Sequence, residues 1–318
     1  MVAVVIPFAQ VAASQNPNFV SHSGSDTVEA YLRSAIVTLC SIRRFSEVAS
    51  LKFVSNAELP RWFVSDLEGL GASAEIRPFI HEPPEGFTAQ FAGSLFLLDV
   101  LEDDHDSECT LLLDPDVIFL GDVATLAERC TDRIGVLPMH YDPGRRVNGI
   151  SAFEAREIHA RLGSGSGVPR HYGGEVYVIP ASLSSELRRR ASIGWSAALE
   201  DFSSGASHFV TEEHVLNFAL RDMPSVDIDD AVKRVWTAHR FRNVDRSERS
   251  LLAWHLPAEK DRGFQHLYAP AVDRGSWFWK VEKAEYVDRV GRAMGLHHRG
   301  AQRWVLDILG QAIGRREK

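Results

Sequence analysis

The sequence predicts an α/β fold, a mixed and mainly parallel sheet flanked by helices, followed by a helical extension at the C-terminus. Three observations predict it. Short apolar runs rich in β-branched residues alternate with helix-length amphipathic segments through the first hundred residues. One such run, Thr110-Leu111-Leu112-Leu113, ends directly on Asp114-Pro115-Asp116. The composition, 45% hydrophobic and 25% charged over 318 residues, is that of a globular chain able to bury a large core.

The elements follow in order. Val2-Ala3-Val4-Val5-Ile6-Pro7-Phe8 suits a strand buried on both faces. No Lys or Arg precedes Arg33, so this run lacks the basic flank of a signal peptide. Residues 15–27 carry loop chemistry, and Asp26 or Thr27 is placed to cap a helix reaching about Phe45. Tyr31, Ala35, Leu39 and Ile42 share one face of that helix. A strand over 51–55, a helix over 60–70, a strand over 74–80 and a helix over 91–101 come next. An acidic run at 102–108 then leads into the strand that ends at Leu113. This β-α-β-α-β-α-β order argues for parallel strands covered by helices on both sides.

The second half is less regular. Strands are expected over 134–139 and 172–180, and helices over 183–202 and 212–220. The Gly163-Ser164-Gly165-Ser166-Gly167 stretch reads as a mobile connection or lid. Near Pro270 the composition changes to Trp277-Phe278-Trp279 and two amphipathic helical patterns. The chain is therefore divided into a main domain over 1–270 and an extension over 271–318. The last pattern places Trp304, Val305, Ile308, Leu309, Ala312 and Ile313 on one face, with Arg at both ends. It fits packing on the domain, homodimer formation, or contact with the inner face of a membrane beside a lipid-linked acceptor.

Charge and cysteines narrow the function. A net charge of -8 gives no reason to expect nucleic acid as partner. An acidic protein that binds a phosphate-bearing ligand needs local help, which a divalent cation supplies. Cys40, Cys109 and Cys130 are odd in number and lack CxxC spacing, which argues against a disulfide framework or zinc site. A reducing, cytoplasmic location follows as the expectation. No apolar run approaches the roughly 18 residues of a bilayer span.

Asp114-Pro115-Asp116 lies just past the end of a buried strand, where open α/β sheets bind ligands. Residues i and i+2 of an extended segment point to one side, so both carboxylates can reach one cation. Oxygen ligands suit Mn²⁺ or Mg²⁺, which would also hold donor phosphates and stabilise a departing diphosphate.

Here the chain resembles a known group. The segment from Tyr31 to Asn56, with Thr38-Leu39-Cys40-Ser41-Ile42 and Phe53-Val54-Ser55-Asn56, is similar to the opening unit of GT-A nucleotide-sugar glycosyltransferases. Residues 111–126 resemble their Asp-x-Asp strand. The likeness runs in short blocks to about residue 265. It is nearest to two retaining families, the glycogenin-like and lipopolysaccharide galactosyltransferases and the ABO blood-group transferases. Three later blocks extend it. His171-Tyr172-Gly173-Gly174-Glu175-Val176 is similar to the strand start lining the donor-sugar pocket; Gly173 and Gly174 would admit the ligand and Glu175 would accept sugar hydroxyls. Glu212-Glu213-His214-Val215-Leu216-Asn217 matches their acidic helix start, which places Glu213 at the candidate nucleophile or stabiliser and Glu212 beside it. A stabilising first helical turn capped by Thr211 explains the same residues without chemistry. Trp254-His255-Leu256-Pro257-Ala258-Glu259-Lys260 resembles the His-x-x-Gly-x-x-Lys segment, so His255 would complete the metal site and Lys260 meet the diphosphate. The glycine is missing and Lys260 sits one residue closer.

The resemblance implies a metal-dependent hexosyltransferase, retaining, with a UDP-sugar as donor and a glycan, lipid-linked or small-molecule acceptor. Pro7, Phe8 and Asn56 would lie by the donor. One departure stands out: those families carry a basic residue in the helix before Asp-x-Asp, and no Arg or Lys occurs here between Arg77 and Arg129. Two alternatives compete, a haloacid-dehalogenase-like phosphatase built on the Asp-x-Asp, and a scaffold that binds a nucleotide or glycan without turnover.

Overall fold

The computed structural model describes residues 2–11, 24–47, 49–88, 90–101, 107–165, 167–238, 241–245 and 247–296. The apolar N-terminal run forms β1 (Val2–Phe8), and α1 (Gly24–Phe45) returns the chain to β2 (Ser50–Ser55). Then come α2 (Arg61–Gly69), β3 (Ala72–Ile76), α3 (Phe96–Leu101) and β4 (Cys109–Leu113). β1 pairs in parallel with both β2 and β4, and β3 extends the sheet beyond β2. The parallel half expected from the repeating pattern is present.

Past β4 lie β5 (Val117–Phe119), α4 (Ala124–Arg129), β6 (Ile134–Met139), β7 (Arg146–Val147), β8 (Ile150–Ser151) and α5 (Ala152–Arg161). The long β9 (His171–Pro180) runs antiparallel between β4 and β6 and makes the sheet mixed. It is followed by α6 (Ala181–Ser203), α7 (Glu212–Leu220), β10 (Ser225–Asp227), β11 (Val232–Arg234) and β12 (Ala253–His255). Helices α8 (Gly263–Val272), α9 (Trp277–Lys280) and α10 (Lys283–Ala293) close the described chain. Among the described residues the main sheet has seven strands in the order β10-β6-β9-β4-β1-β2-β3, and a smaller sheet has the order β11-β12-β5.

Alternation with period two explains the burial. On β1, Val4 and Ile6 join the cluster under α1, while Val5 faces the opposite cluster with α3, α6 and α7. On β4, Leu111 and Leu113 face the first cluster and Leu112 the second. Both faces are covered, as a sheet with helices on each side requires.

Several boundaries differ from expectation. α1 starts at Gly24, so Asp26 and Thr27 lie inside the helix rather than capping it. β3 stops at Ile76 instead of reaching residue 80; Pro78 has no N–H for a ladder, and Ile76 and Ile80 are exposed. The helix expected over 91–101 opens with Phe91 at φ 64° and a 3₁₀ turn (Ala92–Leu95) before α3. The glycine-serine connection is tied down: Ser164 Oγ donates to Asp222 at 3.0 Å and Arg221 Nη2 to the Gly167 carbonyl at 2.7 Å. Phe278, Tyr286, Val290 and Met294 pack into the same cluster as α1 and α8, so the described part of the extension shares the main core. The amphipathic pattern at 301–315 lies outside the described residues.

Candidate active site

The two sheets meet at the end of β4. There the chain leaves the main sheet through Asp114-Pro115-Asp116 and enters β5, which pairs antiparallel with β12 so that Val117 faces His255. This pairing brings together residues 138 positions apart. The turn is held from three sides. Thr38 Oγ1 donates to the Pro115 carbonyl at 2.8 Å, Leu256 N–H to the Asp116 carbonyl at 3.0 Å, and Asp114 N–H to the Glu175 carbonyl at 2.9 Å.

Asp114, Asp116 and His255 each turn one ligand atom toward a common point, all within 4.8 Å of one another. His255 Nε2 lies 3.5 Å from Asp114 Oδ2 and 3.4 Å from Asp116 Oδ2. Asp116 Oδ1 and both ring nitrogens of His255 are buried with no hydrogen-bond partner, Nδ1 having the Glu175 carboxylate only at an ion-pair distance of 3.2 Å. Buried polar atoms left unpaired carry a large desolvation penalty, and a cation between them removes it. Two carboxylates and one imidazole are a hard oxygen set with one borderline nitrogen, which fits Mn²⁺ or Mg²⁺. These residues therefore fit a divalent ion.

Local charge organises the group. Burial opposes ionisation of Asp116, but Lys260 and His255 outweigh it and hold its carboxyl well below the usual range. Burial and the Asp116 charge push Asp114 up to about 6. For His255, burial disfavours the cation, yet Asp116 and Glu175 raise its pKa to about 9. Lys260 is buried, ion-paired with Asp116, and its ammonium lies 5.2 Å from the Tyr31 ring centroid.

A cavity of about 430 Å³ opens over this group. Its lining includes Pro7, Phe8 and Tyr31, the metal-site residues Asp114, Asp116 and His255 with Lys260, and Gly174, Glu212, Glu213 and Arg234. Three expected residues sit elsewhere. Asn56 bonds the backbone of Gln10, accepting from its N–H at 2.7 Å and donating to its carbonyl at 3.2 Å, and does not line the cavity. Gly173 also lies outside the lining; a Cβ there would press on Glu175, on Arg234 Nη2 at 2.6 Å and on Met139. Glu175, expected to face sugar hydroxyls, is fully buried and committed to Arg234 and His255 instead.

Glu212 and Glu213 open α7 with both side chains turned inward. Gly174 allows this closeness, since a Cβ there would lie 2.7 Å from Glu212 Oε1. Glu213 accepts from Gly174 N–H and Asn148 Nδ2, each at 2.9 Å, and from Arg234 Nη2 at 3.2 Å, with His171 Nε2 3.3 Å away. Burial works against its charge, but His171 and Arg234 prevail and lower its pKa to about 2. Glu212 bonds Ser94; burial and the Glu213 charge raise it to about 8. The two adjacent carboxyls are thus shifted in opposite directions, Glu213 toward the carboxylate and Glu212 toward the acid.

Sequence reasoning missed Arg234, Asn148, Ser94 and His171 as neighbours of these carboxylates. Arg145, Arg146, Arg234 and Lys260 line the cavity, and all four follow the Asp-x-Asp in sequence. The short strand of Arg234 offered no signal beyond a basic residue in Val232-Lys233-Arg234.

No protein-family model and no curated protein matches the chain, whereas solved structures do. The galactosyltransferase LgtC, solved with donor and acceptor sugar analogs, is similar over 96% of this chain and 100% of its own, with TM-score 0.50 and 15% identity. The bifunctional glycosyltransferase WbbM is similar over 90% of this chain and 51% of its own, with TM-score 0.56 and 8% identity. At such identities the likeness establishes the architecture: the chain has the GT-A fold of nucleotide-sugar glycosyltransferases.

Proposed function

We propose that the protein is a metal-dependent glycosyltransferase that moves a hexose from a nucleotide-diphosphate sugar to an acceptor. The observation that carries this reading is the Asp114, Asp116 and His255 group, with its unpaired buried atoms, lining a 430 Å³ cavity in a GT-A fold. A divalent cation held by these three residues would neutralise the diphosphate as it leaves. Lys260 and Arg234 also line the cavity, where they offset the charge of Asp116, Glu175 and Glu213 close to where the same anion would lie. Pro7, Phe8 and Tyr31 offer the apolar and aromatic lining that a base requires. The donor is a UDP-sugar and the metal Mn²⁺ or Mg²⁺ on this proposal. The acceptor is a glycan, a lipid-linked sugar or a small molecule, and the cytoplasm is the location.

Glu213 would face the anomeric centre from the Gly174 side. Its carboxylate stays ionised and accepts several hydrogen bonds, which suits electrostatic stabilisation of an oxocarbenium-like centre during transfer with retention. Glu212, raised by burial and by the Glu213 charge, takes up a proton more readily than Glu213, which leaves Glu213 the better placed to carry the negative charge. The phosphatase alternative is not favoured, because the structural neighbours are glycosyltransferases and β1 to β3 precede the Asp-x-Asp in one sheet.

The test is Asp116→Asn. It leaves the side chain's shape and removes the charge shared by the metal position and Lys260. Metal-dependent transfer or donor hydrolysis should fall at least about 100-fold while the circular dichroism stays native. Unchanged turnover would refute the assignment.

A further inference from the structure

We infer that Glu175 is a positioning residue for the metal group: its buried carboxylate holds His255 so that Nε2 is presented between Asp114 and Asp116. This rests on the metal-dependent reading above. Glu175 occupies β9 with no exposed surface, and Val176, Tyr177 and Val178 follow it in the interior. A charge in such a place is costly unless it is paired and serves a purpose. Its two oxygens divide the work. Oε1 lies 3.2 Å from His255 Nδ1 and accepts from Arg234 Nε at 2.7 Å, while Oε2 pairs with Arg234 Nη2. On the far side of the imidazole, Nε2 stands 3.5 and 3.4 Å from the two aspartate oxygens.

An imidazole that ligates through one nitrogen needs an acceptor for the N–H on the other. That acceptor fixes the tautomer and ring orientation and raises ligand basicity. Glu175 is the carboxylate nearest Nδ1, at an ion-pair distance of 3.2 Å that a small turn of the imidazole on binding a metal would close into a hydrogen bond, and Arg234 is the cation paired with it. Gly173 makes room for the arrangement, since a Cβ there would collide with both Glu175 and Arg234. Arg234 then reaches Glu213 at 3.2 Å, so one guanidinium joins the support of the metal ligand to the wall of the sugar pocket. A buried ion pair that served only the fold would not need its carboxylate against a ligand's second nitrogen.

The experiment is Mn²⁺ titration of the metal-free protein by electron paramagnetic resonance, without donor, followed by electron spin echo modulation from the bound imidazole nitrogen. Glu175→Gln should raise the Mn²⁺ Kd about 10- to 100-fold and weaken the nitrogen modulation. The double variant Glu175→Gln, Arg234→Met removes both charges, avoids a stranded buried guanidinium, and should show the same loss if the single variant folds poorly. Wild-type affinity and modulation in the folded variant would overturn the positioning role and leave the metal group standing. Failure of the wild-type protein to bind Mn²⁺ would overturn the metal reading, and this inference with it.

Discussion

Glu212 and Glu213 differ by one position in sequence and by several units in proton affinity, and the difference comes from donors. Glu213 is met by Gly174, Asn148, Arg234 and His171, whereas Glu212 has Ser94 and the repulsion of its neighbour. The same physics reaches residues outside the site. His159 is buried, its Nδ1 accepting from Arg221 Nη1 at 3.1 Å; burial and that guanidinium lower its pKa to about 4. His214, held neutral mainly by burial, also falls to about 4. Below the unfolded value of about 6.5, the unfolded chain takes up protons that the folded one refuses. Stability contributed by these neutral histidines is therefore full above that value and is lost as pH falls toward 4. Denaturant midpoints should drop across this window, and His159→Gln, which keeps an acceptor for Arg221, should flatten the slope. An unchanged slope would contradict the account. Asp114 and Asp116 were legible in the sequence because a strand points at them. Glu175 was expected to face sugar hydroxyls, and the side chains it touches, Arg234 and His255, arrive by long-range pairing that no local pattern encodes.

Among the elements, those with enough length to show a period were legible. β1 spans Val2–Phe8 and α7 spans Glu212–Leu220, both as expected, because an unbroken β-branched apolar run marks the first and a Thr-Glu-Glu start marks the second. β5, β11 and β12 have three residues each, too few for a period, yet their small sheet is what carries His255 to the aspartates. The start of β9 is set against the start of α7, and Gly174 is the contact. In Gly174→Ala a Cβ would meet Glu212 Oε1 at 2.7 Å and Glu213 Cγ at 3.1 Å, displacing both carboxyls. Transfer should fall by about 10- to 100-fold, the scale of a roughly 1 Å misplacement, while Mn²⁺ affinity stays within about twofold. Equal losses in both would place the glycine's role in the fold instead.

For the molecule as a whole, the described part of the extension expected beyond residue 270 packs into the same core as α1 and α8. Phe278, Tyr286, Val290 and Met294 are fully buried against the α1 and α8 side, and Arg44 lies 4.5 Å from the Tyr286 ring centroid. Losing one such side chain costs about 2–5 kcal/mol, so losing four rivals the total stability of about 5–15 kcal/mol. A chain ending at residue 276 should be insoluble or melt far below the full protein, and a wild-type melting temperature would show that the domain closes earlier. Among the described residues no helix is long and apolar enough to cross a membrane. The GT-A architecture was legible from the order of elements and the Asp-x-Asp position. The central claim is that the cavity binds a nucleotide-sugar through a divalent ion. Thermal denaturation against a panel of nucleotide sugars, each with and without Mn²⁺, tests it most directly. A rise in melting temperature with a UDP-sugar that requires the metal, and disappears in Asp116→Asn, is the predicted result; no shift with any nucleotide sugar, or one indifferent to metal, would contradict it.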